Sequence, residues 1–136
     1  MNRDDQLLAA ARLARARAYA PYSRYRVGSA LLTRSGKVFA GCNVENATYG
    51  ATLCAERSAV AAMVAAGEKD PVACVVVTAG PKPGSPCGIC RQVLSEFNEE
   101  GDLRVLMVAD DARGRITAKK TSRLSALLPQ AFRLEH

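Results

Sequence analysis

Three cysteines and a glutamate in this 136-residue chain have the types and spacing of a catalytic metal site. Cys87 and Cys90 form a Cys-x-x-Cys pair at the start of a helical pattern, and Cys54 stands at the start of an earlier, alanine-rich one. A catalytic zinc site uses three protein ligands and leaves its fourth position to water. Glu56, two residues after Cys54, is the candidate proton shuttle. We therefore expect one Zn²⁺ per chain, bound by three thiolates beside a carboxylate base.

The residues next to these ligands affect the charge of the predicted site. Each helix start directs the positive end of its dipole toward a cysteine, which favours the thiolate. Three thiolates outweigh the two positive charges of zinc and would weaken its effect on a bound water molecule. Arg57 can withdraw this excess by donating hydrogen bonds to sulfur. The alternatives are that Arg57 is a solvated surface charge and that Glu56 only complements its helix dipole.

The remaining cysteines and the redox setting allow fewer roles. Cys42 and Cys74 lie in apolar strand patterns, where small buried side chains are expected. Cys42 is the one candidate for a fourth ligand, which would make the site structural. A redox dithiol or a structural zinc knuckle would explain the Cys-x-x-Cys pair but would give Cys54 and Glu56 no role. Five cysteines, an odd number, suit a reducing compartment better than a disulfide framework, so we expect a cytoplasmic protein.

Length and composition predict one domain over residues 1–133, with residues 134–136 resembling the start of an expression tag. No apolar run approaches the roughly 20 residues that cross a membrane, and no signal peptide is visible. The net charge of +6 raises the possibility of nucleic-acid binding, but aromatic residues make up only 5% of the chain and no nucleic-acid motif is present. We expect the basic residues to form solvated surface instead: Arg3, Arg12, Arg15, Arg17, Arg24, Arg26, Lys119, Lys120 and Arg123.

The hydrophobic pattern predicts the element order α-β-β-α-β-α-β-β-α. The expected helices span residues 4–18, 54–66, 88–98 and 122–128, and the expected strands span residues 27–34, 37–43, 72–78, 103–109 and about 115–119. A two-residue turn at Ser35-Gly36 predicts a hairpin, and the strand-helix-strand unit over 72–109 predicts a parallel pair. The predicted fold class is therefore α/β, with a mixed five-stranded sheet between helices on both faces, in three α-β-α layers.

Several segments in the same order resemble the small homotetrameric cytidine deaminases of the cytidine/deoxycytidylate deaminase superfamily. The resemblance covers residues 19–132 and is carried by residues 20–23, 27–32, 41–47, 54–57, 85–92 and 127–129. It implies the cytidine-deaminase fold and zinc-dependent hydrolysis of cytidine and 2′-deoxycytidine to the uridines, with release of ammonia. It also implies that Glu56 exchanges protons with the pyrimidine and with the departing amine.

The resemblance further implies which residues bind the substrate. Asn43 and Glu45 would bind the ribose, the backbone of Ala55 would contact the pyrimidine, and Tyr25, where the family more often has Phe, would pack near the nucleoside.

The remaining contacts that the resemblance implies come from neighbouring subunits of a homotetramer. Ala47 and Tyr49 would come from one neighbour and Phe132 from another. A deaminase of a nucleoside antibiotic such as blasticidin S shares both cysteine motifs, although the segment from Asn43 to Asn46 argues against it. A basic zinc module that binds nucleic acid is the alternative from another class.

Overall fold

The computed structural model describes residues 2–99 and 101–136, and within them it has the predicted element order. The helices are α1 (Arg3–Arg15), α2 (Ala55–Ala65), α3 (Gly88–Ser95) and α4 (Leu124–Leu127). The strands are β1 (Gly28–Thr33), β2 (Val38–Cys42), β3 (Pro71–Ala79), β4 (Arg104–Asp110) and β5 (Ile116–Arg123). A short 3₁₀ turn, Tyr49–Ala51, lies in the expected loop before α2. Among the described residues, no helix has both the length and the apolar character that a membrane span requires.

The five strands form one mixed sheet in the order β2-β1-β3-β4-β5. Strands β3 and β4 are parallel and joined through α3, while the other neighbouring pairs are antiparallel. The prediction of a mixed five-stranded sheet is therefore confirmed. Strand β5 is longer than expected, because pairing continues until Arg123 lies opposite Arg104, and the last helix begins correspondingly late.

Helices cover both faces of the sheet, as the sequence predicts. Helix α1 packs Leu7 and Ala11 against one face, which is formed largely by alternate residues of β3 and β4 such as Val75 and Val108. Helices α2, α3 and α4 pack on the opposite face, which includes Leu31, Val76, Val105 and Met107. Strands β3 and β4 are buried almost throughout, which explains their continuous apolar sequences.

Two glycines allow the helices to lie close to the sheet. A Cβ at Gly28 in β1 would lie 2.0 Å from the Ala11 carbonyl oxygen in α1. A Cβ at Gly41 in β2 would lie 2.4 Å from the backbone nitrogen of Ala59 in α2. Both distances are far below van der Waals contact, so neither position accepts a side chain without a shift of the facing helix. Gly41 therefore helps to determine the position of α2, which carries Glu56.

Part of the basic cluster near the N-terminus is not solvated surface, contrary to our expectation. Arg15 donates two hydrogen bonds to Asp110, at 2.8 and 2.7 Å, and Arg12 Nε donates a third at 3.1 Å. The Asp110 side chain is only 1% exposed. These partners lie almost 100 positions apart in the chain, which is why the sequence pattern did not reveal the pair. The Arg15 hydrogen bonds hold the pKa of Asp110 below its usual value.

Candidate active site

The starts of α2 and α3 bring the three predicted ligands together. Cys54 is the N-cap residue of α2, Cys87 is the N-cap residue of α3, and Cys90 lies in the first turn of α3. All three sulfur atoms lie within 4.8 Å of one another, and the Cys54 and Cys87 sulfurs are 3.8 Å apart. Cys42, the candidate fourth ligand, does not belong to this group. The cysteines therefore form a three-ligand group of the kind expected for a catalytic site.

The geometry of this group fits zinc, and one of its thiols, that of Cys54, ionises readily. Tetrahedral zinc–sulfur bonds of about 2.3 Å place the ligand sulfurs about 3.8 Å apart, which agrees with the Cys54–Cys87 distance. Hydrogen bonds from Cys90, Arg57 and Cys87 lower the pKa of the Cys54 thiol to about 5, although burial opposes this shift. A thiolate at neutral pH is the form that binds a metal ion. The chain therefore binds zinc through Cys54, Cys87 and Cys90.

The Arg57 side chain lies against the ligand group and not in solvent. Its Nη2 atom is 3.3 Å from the Cys54 sulfur and donates to the Thr52 carbonyl oxygen at 3.2 Å. Its Nε atom is buried and has no hydrogen-bond partner among the described residues. The guanidinium group is therefore close enough to donate a hydrogen bond to the Cys54 thiolate, and its role in withdrawing negative charge stays a prediction.

Glu56 is buried in the first turn of α2, with 4% of its surface exposed. Burial raises the pKa of its carboxyl group to about 7. A carboxyl group with a pKa close to neutral both accepts and donates protons readily at physiological pH. This property suits a proton shuttle better than an acid that only complements a helix dipole.

A cavity of about 270 Å³ opens beside Cys54, Cys87 and Glu56. Four of the predicted substrate-binding residues line it, namely Tyr25, Asn43, Glu45 and Ala55. Our sequence reasoning assigned no role to the other lining residues, which are Ser23, Val27, Thr52, Val76, Thr78, Gly84 and Ser85. Their only signal was that Ser23, Val27 and Ser85 fall within the segments carrying the family resemblance.

Asn43 and Glu45 are held firmly at the cavity wall. The Asn43 side chain accepts from the Val27 N–H and donates to the Tyr25 carbonyl oxygen, both at 2.8 Å. Glu45 Oε1 accepts from the backbone N–H groups of Tyr22 and Ser23, at 2.9 and 3.1 Å, and Oε2 accepts from the Ser23 hydroxyl. The Ser23 hydroxyl and these N–H groups lower the pKa of Glu45, so the group is a carboxylate at neutral pH. Both residues thus stabilise the loop while also facing the cavity.

The residues expected from neighbouring subunits do not reach the cavity of their own chain. Tyr49 is 85% exposed and Phe132 is 67% exposed, which is unusual for aromatic side chains. Ala47 is also exposed. None of the three belongs to the cavity lining.

Arg91 is a further residue that the sequence did not single out. Its side chain donates to the Pro86 carbonyl oxygen at 2.8 Å, the Leu127 carbonyl oxygen at 2.7 Å and the Ser85 hydroxyl at 2.6 Å. The adjacent Gln92 donates to the Phe132 carbonyl oxygen at 3.0 Å. The first turn of α3 therefore joins the loop before Cys87 to the C-terminal segment.

This fold and this site define a zinc-dependent hydrolase of the α/β class, with three thiolate ligands and a buried acid facing a small cavity. Residues 1–106 match the family described as the cytidine and deoxycytidylate deaminase zinc-binding region, and the chain belongs to this family.

Comparison with other proteins agrees with this assignment. The chain is 40% identical to the cytidine deaminase of Sporosarcina psychrophila over 131 residues, which cover 96% of this chain and 92% of the relative. It is 43% identical to the cytidine deaminase of Halalkalibacterium halodurans over 116 residues, or 78% of this chain and 88% of the relative.

Among solved structures, the cytidine deaminase of Burkholderia pseudomallei has a TM-score of 0.83 and 43% identity, and the alignment covers 97% of this chain and all of that one. The cytidine deaminase of Mycobacterium tuberculosis has a TM-score of 0.79 and 40% identity, with 98% of this chain and all of that one covered. The expected cytidine-deaminase fold is therefore confirmed.

Proposed function

We propose that the protein catalyses the hydrolytic deamination of cytidine and 2′-deoxycytidine to uridine and 2′-deoxyuridine. The observation that carries this proposal is that the buried Glu56, beside three cysteines, lines the same cavity as Asn43 and Glu45. The names of the relatives support it, since two proteins that are about 40% identical to this chain over most of their length are named cytidine deaminases.

The reaction consumes water and releases ammonia, so protons must move from the water molecule to the substrate. Zinc, when bound by the three cysteines, supplies a Lewis acid that lowers the pKa of a water molecule. Glu56 would move both protons of the attacking water: the first goes to the ring nitrogen next to C4, and the second goes from the hydroxyl left on C4 to the departing amine, which leaves as ammonia. Its pKa of about 7 suits both directions of transfer.

Asn43 and Glu45 favour a free nucleoside over a polynucleotide. After its contacts with Val27 and Tyr25, the Asn43 amide retains one N–H donor. Glu45 retains one acceptor position on Oε2 after its contacts with the backbone and Ser23. A free ribose hydroxyl can accept from the first and donate to the second, whereas a phosphodiester oxygen cannot donate. The same pair argues against a nucleoside antibiotic as the main substrate.

We further propose a homotetramer in which each site is completed by neighbouring subunits. The exposure of Tyr49 and Phe132 supports this proposal, because aromatic side chains that are largely exposed in one chain are commonly covered in an assembly. Mixing Phe132→Ala chains with Glu56→Gln chains tests it, after each variant is shown to be inactive alone. Shared sites predict partial recovery of activity, and no recovery despite demonstrated subunit exchange would refute the sharing of sites between subunits.

The central test is cytidine turnover followed by ultraviolet absorbance, together with zinc content. Glu56→Gln should retain one zinc per chain and the fold but lose about 10²–10⁴-fold in kcat. Blasticidin S and single-stranded DNA serve as competing substrates. Activity of the variant within tenfold of the parent, or faster turnover of either competitor than of cytidine, would contradict the proposal.

A further inference from the structure

The hydroxyl of Ser23 lies between two residues that face the nucleoside cavity. It donates a hydrogen bond to Glu45 Oε2 and accepts one from the backbone N–H of Tyr25 at 3.0 Å. Ser23 itself lines the cavity beside both residues. Because the Tyr25 N–H occupies an acceptor position of the hydroxyl, the hydroxyl proton is directed toward Glu45.

The contacts of Glu45 explain what this hydroxyl adds. Oε1 already accepts hydrogen bonds from the backbone N–H groups of Tyr22 and Ser23, and these bonds use both of its lone pairs. With Oε1 fixed, the carboxylate plane can still turn until the Ser23 hydroxyl engages Oε2. The hydroxyl therefore sets the direction of the single acceptor position that remains.

The backbone of Tyr25 does not depend on the Ser23 hydroxyl alone. The Asn43 side chain also donates a hydrogen bond to the Tyr25 carbonyl oxygen and accepts one from the Val27 N–H, both at 2.8 Å. Removal of the Ser23 hydroxyl should therefore leave the Tyr25 wall in place and free only one oxygen of Glu45.

We propose that Ser23 is a positioning residue for substrate recognition, which aims the last free acceptor of Glu45 at one hydroxyl of the ribose. The inference rests on the proposed function, since it requires a nucleoside in this cavity. It predicts that Ser23 acts through one hydroxyl of the substrate and not through the chemical step.

Ser23→Ala should raise KM for cytidine about tenfold, the usual scale for a misdirected hydrogen bond to a charged group, and leave kcat within about twofold. Ser23→Thr restores the hydroxyl at an exposed position and should return KM to the parent value. Ser35→Ala is the matched control, because Ser35 also donates a hydrogen bond to a surface carboxylate, that of Glu68, but lies outside the cavity. This control should leave KM unchanged.

The decisive measurement compares 2′-deoxycytidine, 3′-deoxycytidine and 5′-deoxycytidine as substrates. Because Glu45 has one remaining acceptor position, it should contact only one hydroxyl of the substrate. We therefore expect the effect of Ser23→Ala on KM to disappear for the one analogue that lacks this hydroxyl and to persist for the other two. An equal effect on all three, a fall in kcat alone, or no rescue by Ser23→Thr would overturn the proposal. If the parent protein does not turn over cytidine, the proposed function fails and this inference fails with it. Normal turnover without a Ser23 effect overturns this inference only.

Discussion

Replacement of Gly41 by alanine tests whether the close packing of α2 on the sheet positions the catalytic acid. The new Cβ would lie 2.4 Å from the Ala59 backbone nitrogen and 2.7 Å from the Ser58 Cβ atom. A normal contact needs at least about 3.4 Å, so α2 must move away from β2 by about 1 Å. Because α2 carries Glu56 and has Cys54 as its N-cap residue, both would move with it.

The structure gives a magnitude for each consequence. Overpacking of this kind lowers the free energy of unfolding by about 1–3 kcal/mol. A displacement of about 1 Å at reacting groups costs about 10²-fold in rate. We therefore expect Gly41→Ala to lower the thermal midpoint, measured by circular dichroism, and to lower kcat/KM for cytidine about 100-fold, measured well below that midpoint.

Gly28→Ala is the matched control, because its Cβ would lie 2.0 Å from the Ala11 carbonyl oxygen in α1. Helix α1 contributes no residue to the cavity, so this variant should lose at least as much stability but less than tenfold in kcat/KM. Equal losses of activity in the two variants would refute the reasoning, as would a Gly41→Ala protein with activity within threefold of the parent.

Two further predictions concern charged side chains away from the reacting groups. Asp110→Asn should lower the free energy of unfolding by about 1.5–3 kcal/mol, since Arg12 and Arg15 lose charged acceptors. Because the folded-state pKa of Asp110 is lowered, its contribution is complete above about pH 4 and is lost as the pH falls through the folded-state pKa, so the variant should lose stability less steeply in acid than the parent. Arg91→Ala should release zinc to a chelator about 10–100-fold faster, because the loop before Cys87 loses its anchors at Pro86 and Leu127.

For each of these two predictions, one experimental result would contradict the reasoning. Denaturant melts that fall in parallel for the parent and Asp110→Asn between pH 5 and pH 2 would show that Asp110 carries no linked proton. Unchanged zinc release from Arg91→Ala would show that the loop is held without the guanidinium group, whereas Arg91→Lys should lie between the parent and Arg91→Ala because it keeps the charge but loses the fork of donors.

The sequence by itself was sufficient for the metal ligands because their signal is local. The spacing of Cys87 and Cys90 places both sulfurs at one helix start, and Cys54 opens a second helix. The strands were equally visible, since β3 and β4 are apolar on both faces. The sequence alone could not show that Cys42 lies outside the ligand group. Strand pairing determines where its side chain lies, so this needed the tertiary structure.

Only the tertiary structure identified the residues that hold the site in place. Ser23 contacts Glu45 from 22 positions away, Arg91 contacts Leu127 from 36 positions away, and Arg15 contacts Asp110 from 95 positions away. No pattern of composition or periodicity encodes such pairs, because polar side chains in loops and at helix ends look alike until folding brings a partner to them. For the same reason, the sequence could not distinguish Arg15, which forms a partly buried ion pair with Asp110, from Lys120, which remains at the surface.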